Sequence, residues 1–139
     1  MLIAGAFDEA GSPTIKIRVS GDRGSRDYAA TIDTGFTGFV ALPLVEIVPL
    51  GLSTDPGAAS VMLGDGTIIE NLVARGSVIL GSHLAVGTIL LDETSADVLI
   101  GMAFLRAFAV TLIVTDKIVA LCDAAESVET VAELIQSAR

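Results

Sequence analysis

The chain has 139 residues, of which 52% are hydrophobic and 18% are charged. That length suits a single domain, and the composition excludes intrinsic disorder, which goes with few apolar and many charged residues. Eight Lys and Arg stand against 17 Asp and Glu, a formal net charge of −9. Because such a surface repels nucleic acid and anionic membranes, we expect neither as a partner.

A membrane helix needs about 18 to 20 uninterrupted apolar residues, and the best run, 102–115, is interrupted by Arg106. The first seven residues lack a basic start and lead straight to Asp8 and Glu9, which is too short for a signal peptide. Cys122 is the only cysteine, so the chain has no internal disulfide. We therefore expect a cytoplasmic protein.

Short apolar runs separated by turn residues predict a mainly β fold. Residues 14–20 alternate between apolar and polar, and the turn-forming segment 21–25 predicts a return strand over 28–32. Residues 44–58 hold two prolines and two glycines, which predicts a loop or one helical turn. The remaining predicted strands are 39–42, 72–80, 84–91, 97–101, 110–114 and 118–122.

A hairpin is predicted over 60–71, because Gly64-Asp65-Gly66 lies between two apolar runs and Asp-Gly favours a two-residue hairpin turn. A short helix is predicted over 102–108. Asp123 and Glu126 have the spacing of a capping box, and the apolar residues that follow recur at helical spacing. The chain is therefore predicted to end in a helix over 124–138, whose apolar residues are Val128, Val131, Ala132 and Ile135.

The segment with the clearest chemistry is 29–38, Ala-Ala-Thr-Ile-Asp-Thr-Gly-Phe-Thr-Gly. An apolar strand delivers the Asp33 carboxylate, and glycine-containing backbone follows at once. A buried ionised carboxylate is costly unless it is paired or hydrogen-bonded. One interpretation is a turn residue that caps its own loop; the other is a catalytic acid.

Three features in order favour the catalytic interpretation: Asp33-Thr34-Gly35, the hairpin around 64–66, and Leu99-Ile100-Gly101 followed by a short helix. This set resembles the retropepsin-like aspartic proteases (single-lobe, clan AA, bacterial type) over about 13–122. The resemblance implies one domain over 1–139, a closed antiparallel β-barrel lobe, and a flap hairpin. It implies an endopeptidase that needs no metal or other cofactor. The implied site residues are Asp33, Thr34 and Gly35 in the catalytic loop and Leu63, Gly64, Asp65 and Gly66 in the flap.

Aspartic proteolysis requires two carboxylates around one water, one acting as base and the other as acid. Two like charges about 3 Å apart cannot both ionise cheaply, so the pair shares a proton. The chain has one Asp-Thr-Gly, and Asp97 does not occupy the matching position in the second element. The partner carboxylate must then come from a second copy in a two-fold homodimer, acting on extended peptide or protein substrates at acidic to neutral pH.

Two alternatives stay open. A peptide-binding or dimerisation module on the same fold would keep the loop but not catalyse hydrolysis. An unrelated β-barrel with a chance Asp-Thr-Gly would not place the 62–69 hairpin over Asp33.

The sequence departs from the viral members of the family at two points. Phe36 follows Asp-Thr-Gly where viral chains commonly have Ala, and Met102 and Ala103 stand where viral chains have an Arg that supports the catalytic loop. That support is therefore absent or comes from Arg106. The terminal helix is expected to replace the strand through which viral chains pair their termini.

Other residues that could be catalytic or bind a metal have less support from the sequence. His83 is the only histidine, and it follows a Gly-Ser turn, so we interpret it as a surface residue. Cys122 ends an apolar strand and is expected to be a buried, unreactive thiol. One His and one Cys cannot make a zinc site, and Asp92 and Glu93 are interpreted as a solvated turn rather than a cation site.

Overall fold

The computed structural model describes residues 1–62, 68–123 and 128–137. A 3-10 turn covers Leu44–Glu46, and the helices are α1 (Ile47–Leu50), α2 (Met102–Ala107) and α3 (Val128–Ser137). The strands are β1 (Leu2–Ala4), β2 (Ala6–Phe7), β3 (Pro13–Ser20), β4 (Ser25–Ile32), β5 (Val40–Pro43), β6 (Ser53–Met62), β7 (Ile68–Leu80), β8 (His83–Asp92), β9 (Leu99–Ile100), β10 (Val110–Val114) and β11 (Val119–Asp123).

The predicted mainly β fold is confirmed. Six strands close into a barrel in the order β3-β4-β9-β5-β8-β7, and β7 returns to pair with β3 through Val78 opposite Val19. Most neighbours are antiparallel, but β4 with β9 and β5 with β8 are parallel. The short strand β9 therefore lies between β4 and β5, the two strands that flank the Asp33 loop.

The barrel interior is apolar because its strands alternate as the sequence predicts. In β3, Ile15, Ile17 and Val19 are buried whereas Lys16 and Arg18 are exposed. Burial of such side chains stabilises the fold by about 1.5–3 kcal/mol each. Other fully buried side chains are Val40, Leu42, Leu50, Leu80, Ile89, Leu91, Ile100, Phe104 and Leu121.

Residues 53–58 form the start of a strand, so the prediction of loop there was wrong. β6 begins at Ser53 and pairs with β7, with a register shift between Asp55 and Ala59. That irregular stretch contains Pro56, which has no N–H for a sheet ladder. Proline is tolerated at an edge strand or a bulge, and β6 is an edge strand, paired with β7 alone among the described strands.

The first strand and the last two strands form a second, three-stranded sheet of order β1-β11-β10. β1 pairs antiparallel with β11, with Leu2 opposite Cys122. The sequence pattern did not predict β1. After residues 124–127 comes α3, the described part of the predicted terminal helix. On α3, Val131 and Ile135 are half-buried and Ala132 is exposed. Across the described ranges, no helix combines the length and the apolar character needed to cross a membrane.

Candidate active site

Asp33 stands immediately after β4, at the end of the barrel where that strand enters a tight loop. Ala30 and Ile32 anchor the strand in the core, and the Asp33 side chain itself is half-buried. Two backbone hydrogen bonds tie this end of β4 to β9: the Thr31 N–H donates to the Val98 carbonyl oxygen at 2.8 Å, and the Asp33 N–H donates to the Ile100 carbonyl oxygen at 2.9 Å. The position of the carboxylate is therefore set by two strands.

The loop turns within three residues, and the Asp33 side chain takes part in the turn. The Gly35 N–H donates to Asp33 Oδ1 at 2.9 Å, and the Phe36 N–H donates to the Asp33 carbonyl oxygen at 3.1 Å. The contact to Oδ1 is the one that a turn-capping aspartate makes. Oδ2 has no hydrogen-bond partner among the residues that the structure describes, so it is available to a water or a second group.

The first turn of α2 holds the far side of the loop through backbone groups. The Met102 N–H donates to the Phe36 carbonyl oxygen at 2.9 Å, and the Ala103 N–H donates to the Gly38 carbonyl oxygen at 3.1 Å. Arg106 is exposed and forms no ion pair with any described residue. The loop is thus supported by two main-chain amides, whereas the sequence suggested that support is either absent or provided by Arg106.

Gly101 is required where β9 meets α2. A Cβ added there would overlap the carbonyl oxygens of Phe36 and Gly38, two of the atoms with which the loop accepts hydrogen bonds from α2. Only a residue without a side chain lets these backbones approach so closely. The Leu99-Ile100-Gly101 element therefore has a structural reason for ending in glycine.

Beneath the loop, three phenylalanines join its exit to α2. Phe39 and Phe104 have ring centroids 5.6 Å apart, and Phe104 and Phe108 have centroids 4.7 Å apart. Such tilted aromatic pairs contribute about 0.5–1.5 kcal/mol beyond their buried area. The exit of the loop is therefore anchored in the core.

The other predicted site residues fall into two groups. Thr34 and Gly35 are exposed on the loop, and the Thr34 hydroxyl has no hydrogen bond to a described residue. Leu63, Gly64, Asp65 and Gly66 lie outside the described residues, so the flap stays a prediction. The arms of that hairpin do pair, with Met62 opposite Ile68.

Asp97 does not join Asp33. In the parallel pair β4–β9, Thr31 is opposite Leu99 and Ile32 is opposite Ile100, so the residue level with Asp33 is Gly101. Asp97 lies four positions earlier, which is about 13 Å along a strand. It is exposed, and its N–H donates to Ser95 Oγ at 3.0 Å. Asp97 is therefore not placed to act as a second carboxylate beside Asp33.

The remaining candidates are Cys122, His83 and Asp92. Cys122 is buried, as expected, and His83 is exposed, with Nδ1 3.5 Å from Ser82 Oγ. Asp92 Oδ1 accepts the Thr94 N–H at 2.8 Å, and this hydrogen bond holds the pKa of Asp92 below its ordinary value. Over residues 1–62, 68–123 and 128–137, no three His, Cys, Asp or Glu side chains gather as a metal site requires.

Solved structures resemble this chain, whereas no family model and no curated protein matches it. EIAV protease complexed with the inhibitor HBY-793 superimposes with a TM-score of 0.58 at 12% identity, over 78% of this chain and 98% of that chain. A retropepsin-like aspartic protease from Rickettsia conorii gives 0.60 at 17% identity, over 87% and 89%. These likenesses show that the chain has the retropepsin-like fold.

Proposed function

We propose that this chain is an aspartic endopeptidase that works as a homodimer, with one Asp33 from each copy. The observation that carries the proposal is the setting of Asp33. Its backbone is fixed by Ile100, one carboxylate oxygen is held by Gly35, and the other oxygen is unpartnered among the described residues. The retropepsin-like fold supports this assignment because the two solved structures reported above are proteases.

The need for a second copy follows from the chemistry. Attack of water on a peptide carbonyl requires a base for the water proton and an acid for the carbonyl oxygen. Asp97 lies before β9, four positions ahead of the residue level with Asp33, and is too far away to supply either group. A two-fold axis beside the Asp33 loop would place the same carboxylate opposite itself.

Two Asp33 side chains would hydrolyse the peptide bond in two stages. One Asp33 carboxylate accepts a proton from the water as its oxygen bonds to the carbonyl carbon, and the protonated Asp33 of the other copy gives its proton to the carbonyl oxygen. The Asp33 that took the water proton then gives it to the amide nitrogen as the C–N bond breaks, and the other Asp33 takes a proton back from one of the two hydroxyl groups of the tetrahedral intermediate. The products are a carboxylic acid and an amine, and the two Asp33 side chains return to their starting state. No metal or organic cofactor enters this sequence of steps.

The other loop residues have supporting roles in this proposal. Thr34, exposed beside Asp33, would hydrogen-bond to the facing loop and hold the two copies in register. The segment 63–66 would close over the bound peptide and exclude water. Residues 1–139 would act as one domain, and an extended peptide with apolar side chains in alternate pockets would fit between the β elements.

Hydrolysis by three matched proteins tests the proposal. Wild type, Asp33→Asn and Asp97→Asn are incubated with a mixture of extended peptides rich in apolar residues, and the products are identified by mass spectrometry. We expect cleavage by wild type and Asp97→Asn and none by Asp33→Asn, with unchanged circular dichroism. Cleavage by Asp33→Asn at the wild-type rate would show that another group carries the chemistry.

The same experiment distinguishes a protease from the second candidate function, a peptide-binding module. If wild type cleaves no peptide yet binds a statine-containing peptide, the chain is a peptide-binding module on this fold.

A further inference from the structure

The Phe36 side chain lies between the catalytic loop and the junction of β9 with α2. A Cβ placed on Gly38 would be 2.5 Å from Phe36 Cζ and 2.6 Å from Cε1, and a Cβ placed on Gly101 would be 2.7 Å from Phe36 Cδ2. The ring therefore fills the space above both glycines. It is half-buried, so part of its surface is covered by these two backbones.

The backbone of Phe36 joins the same two elements. Its N–H donates to the Asp33 carbonyl oxygen at 3.1 Å, and its carbonyl oxygen accepts the Met102 N–H at 2.9 Å. Asp33 is in turn bonded to Ile100, the neighbour of Gly101. Backbone hydrogen bonds thus link Asp33 to Phe36, Phe36 to α2 and Asp33 to β9, and the Phe36 ring packs where β9 meets α2.

We propose that Phe36 is a positioning residue, whose ring, packed on Gly38 and Gly101, holds the loop in the geometry that aims the Asp33 carboxylate. The catalytic part of this inference rests on the proposed function; the ordering of the loop does not. Removing the ring leaves a gap over two glycines, which have no side chains to fill it. The loop then samples other conformations, and a displacement of about 1 Å at a catalytic group can cost 10²-fold in rate.

The two glycines give a matched pair for the test. At Gly38, all three of the nearest atoms that a Cβ would meet belong to the Phe36 ring. At Gly101, a Cβ would also overlap the carbonyl oxygens of Phe36 and Gly38. Gly38→Ala therefore acts by pushing the ring aside, and its effect disappears once the ring is gone. Gly101→Ala acts on the backbone and keeps its effect in either background.

The first measurement is amide hydrogen exchange at Asp33, Gly35 and Phe36, which needs no activity. We expect Phe36→Ala to accelerate exchange at these amides by about tenfold or more, while exchange at the amide of Gly51, which directly follows α1, is unchanged. Phe36→Leu, which keeps much of the apolar volume, should give an intermediate effect and stands in if Phe36→Ala does not fold. Wild-type exchange in both variants would overturn the proposal.

The second measurement is peptide hydrolysis by the single and double variants of two double-mutant cycles, which combine Phe36→Ala with Gly38→Ala and with Gly101→Ala. We expect Phe36→Ala to lower kcat by about 10²-fold with KM changed less than about threefold, and Phe36→Leu to recover part of that loss. Gly38→Ala should lower kcat in wild type but cause no further loss in Phe36→Ala. Gly101→Ala should lower it in both backgrounds.

The outcomes separate the two proposals. Altered exchange with unchanged kcat, or equal effects of Gly38→Ala in both backgrounds, would overturn Phe36 as a positioning residue while leaving the protease proposal intact. If wild type itself cleaves no peptide, the protease proposal fails, the catalytic part of the inference fails with it, and the exchange data decide whether Phe36 orders the loop.

Discussion

The N–H of Asp33 donates a hydrogen bond of 2.9 Å to the carbonyl oxygen of Ile100. This bond places the candidate catalytic residue beside a two-residue strand from a distant part of the sequence. β9 lies between the strands that enter and leave the loop. The geometry of the site is therefore a property of the folded barrel rather than of the Asp-Thr-Gly segment alone.

Gly101→Ala should destabilise the protein, because the added methyl group would overlap two carbonyl oxygens that cannot rotate away. We expect a loss of about 2 kcal/mol in the free energy of unfolding, within the range for overpacked sites. Gly24→Ala is the matched control, since the nearest atom to its Cβ would be the Pro49 carbonyl oxygen at 3.7 Å. Urea titrations measure both variants; equal stabilities would contradict this account.

Tyr28 should ionise only at unusually high pH. It is half-buried, and burial first, then its hydrogen bond of 2.9 Å to Glu46 Oε2, raises the pKa of its phenol. Because the folded-state value exceeds the unfolded one, the stabilisation is complete below about pH 10 and is lost as pH rises through the folded value.

Tyr28 is the only tyrosine, so absorbance at the tyrosinate band reports on it directly. The native midpoint should lie above the midpoint in denaturant. Glu46→Gln should lower the native midpoint, and Glu93→Gln, a change at an exposed turn, should not. Coincident native and denatured titrations would show that the phenol is solvated.

The ion pair between Arg18 and Asp27 should contribute to stability only above acidic pH. Arg18 Nε lies 2.8 Å from Asp27 Oδ1, and this hydrogen bond holds the pKa of Asp27 below its ordinary value of 3.8. A lowered carboxyl pKa means that the stabilisation is present above the unfolded value and is lost as pH falls through the folded one.

The stability gap between wild type and Asp27→Asn should therefore be constant above about pH 5 and should close below about pH 4. It should also shrink at about 1 M salt, since both groups are exposed. Asp116→Asn, at an exposed turn position without an ion pair to a described residue, is the control. A gap that widens at low pH would contradict the assignment.

Replacing Ala109 by glycine should stabilise the protein. It follows α2 with φ of 52°, in the left-handed region where an L side chain is strained. We expect Ala109→Gly to raise the free energy of unfolding by about 0.5–1 kcal/mol, relief of strain outweighing the added freedom of the unfolded chain. Ala107→Gly, at the last residue of α2, should lower it, because glycine loses more backbone freedom on folding than alanine does. Thermal unfolding of the two variants should therefore shift in opposite directions.

Sequence patterns predicted the parts of the fold that depend on local alternation. Ile15, Ile17 and Val19 define the inner face of β3 without reference to any other strand. The short strands β1 and β2 could not be found in this way, because two or three residues show no period and their pairing is set by β11 and β3. The strand at 53–58 was missed because Pro56 reads as a break until β6 is known to be an edge.

The candidate site could be proposed from the sequence as a set of residues, but its arrangement could not. Asp33, Thr34 and Gly35 could be proposed from their order with Leu99-Ile100-Gly101, whereas the pairing of Asp33 with Ile100 depends on the barrel. Phe36 appeared only as a departure from the viral pattern. Its proposed role rests on the packing of its ring against Gly38 and Gly101. Gly38 is two residues away in the sequence, but Gly101 is brought to the ring only by the fold.

Mixing active and inactive copies tests the central claim most directly. Wild type at fixed concentration is re-equilibrated with a ninefold excess of Asp33→Asn or, as control, with the same excess of an Asp33→Asn variant that also carries Thr34→Asp to prevent pairing of the loops. If each site needs Asp33 from two copies, random pairing leaves about one wild-type chain in ten with a wild-type partner. Peptide hydrolysis per wild-type chain should then fall about tenfold with Asp33→Asn and stay unchanged with the control. Full activity in the presence of excess Asp33→Asn would show that a single copy is sufficient and would contradict a shared site.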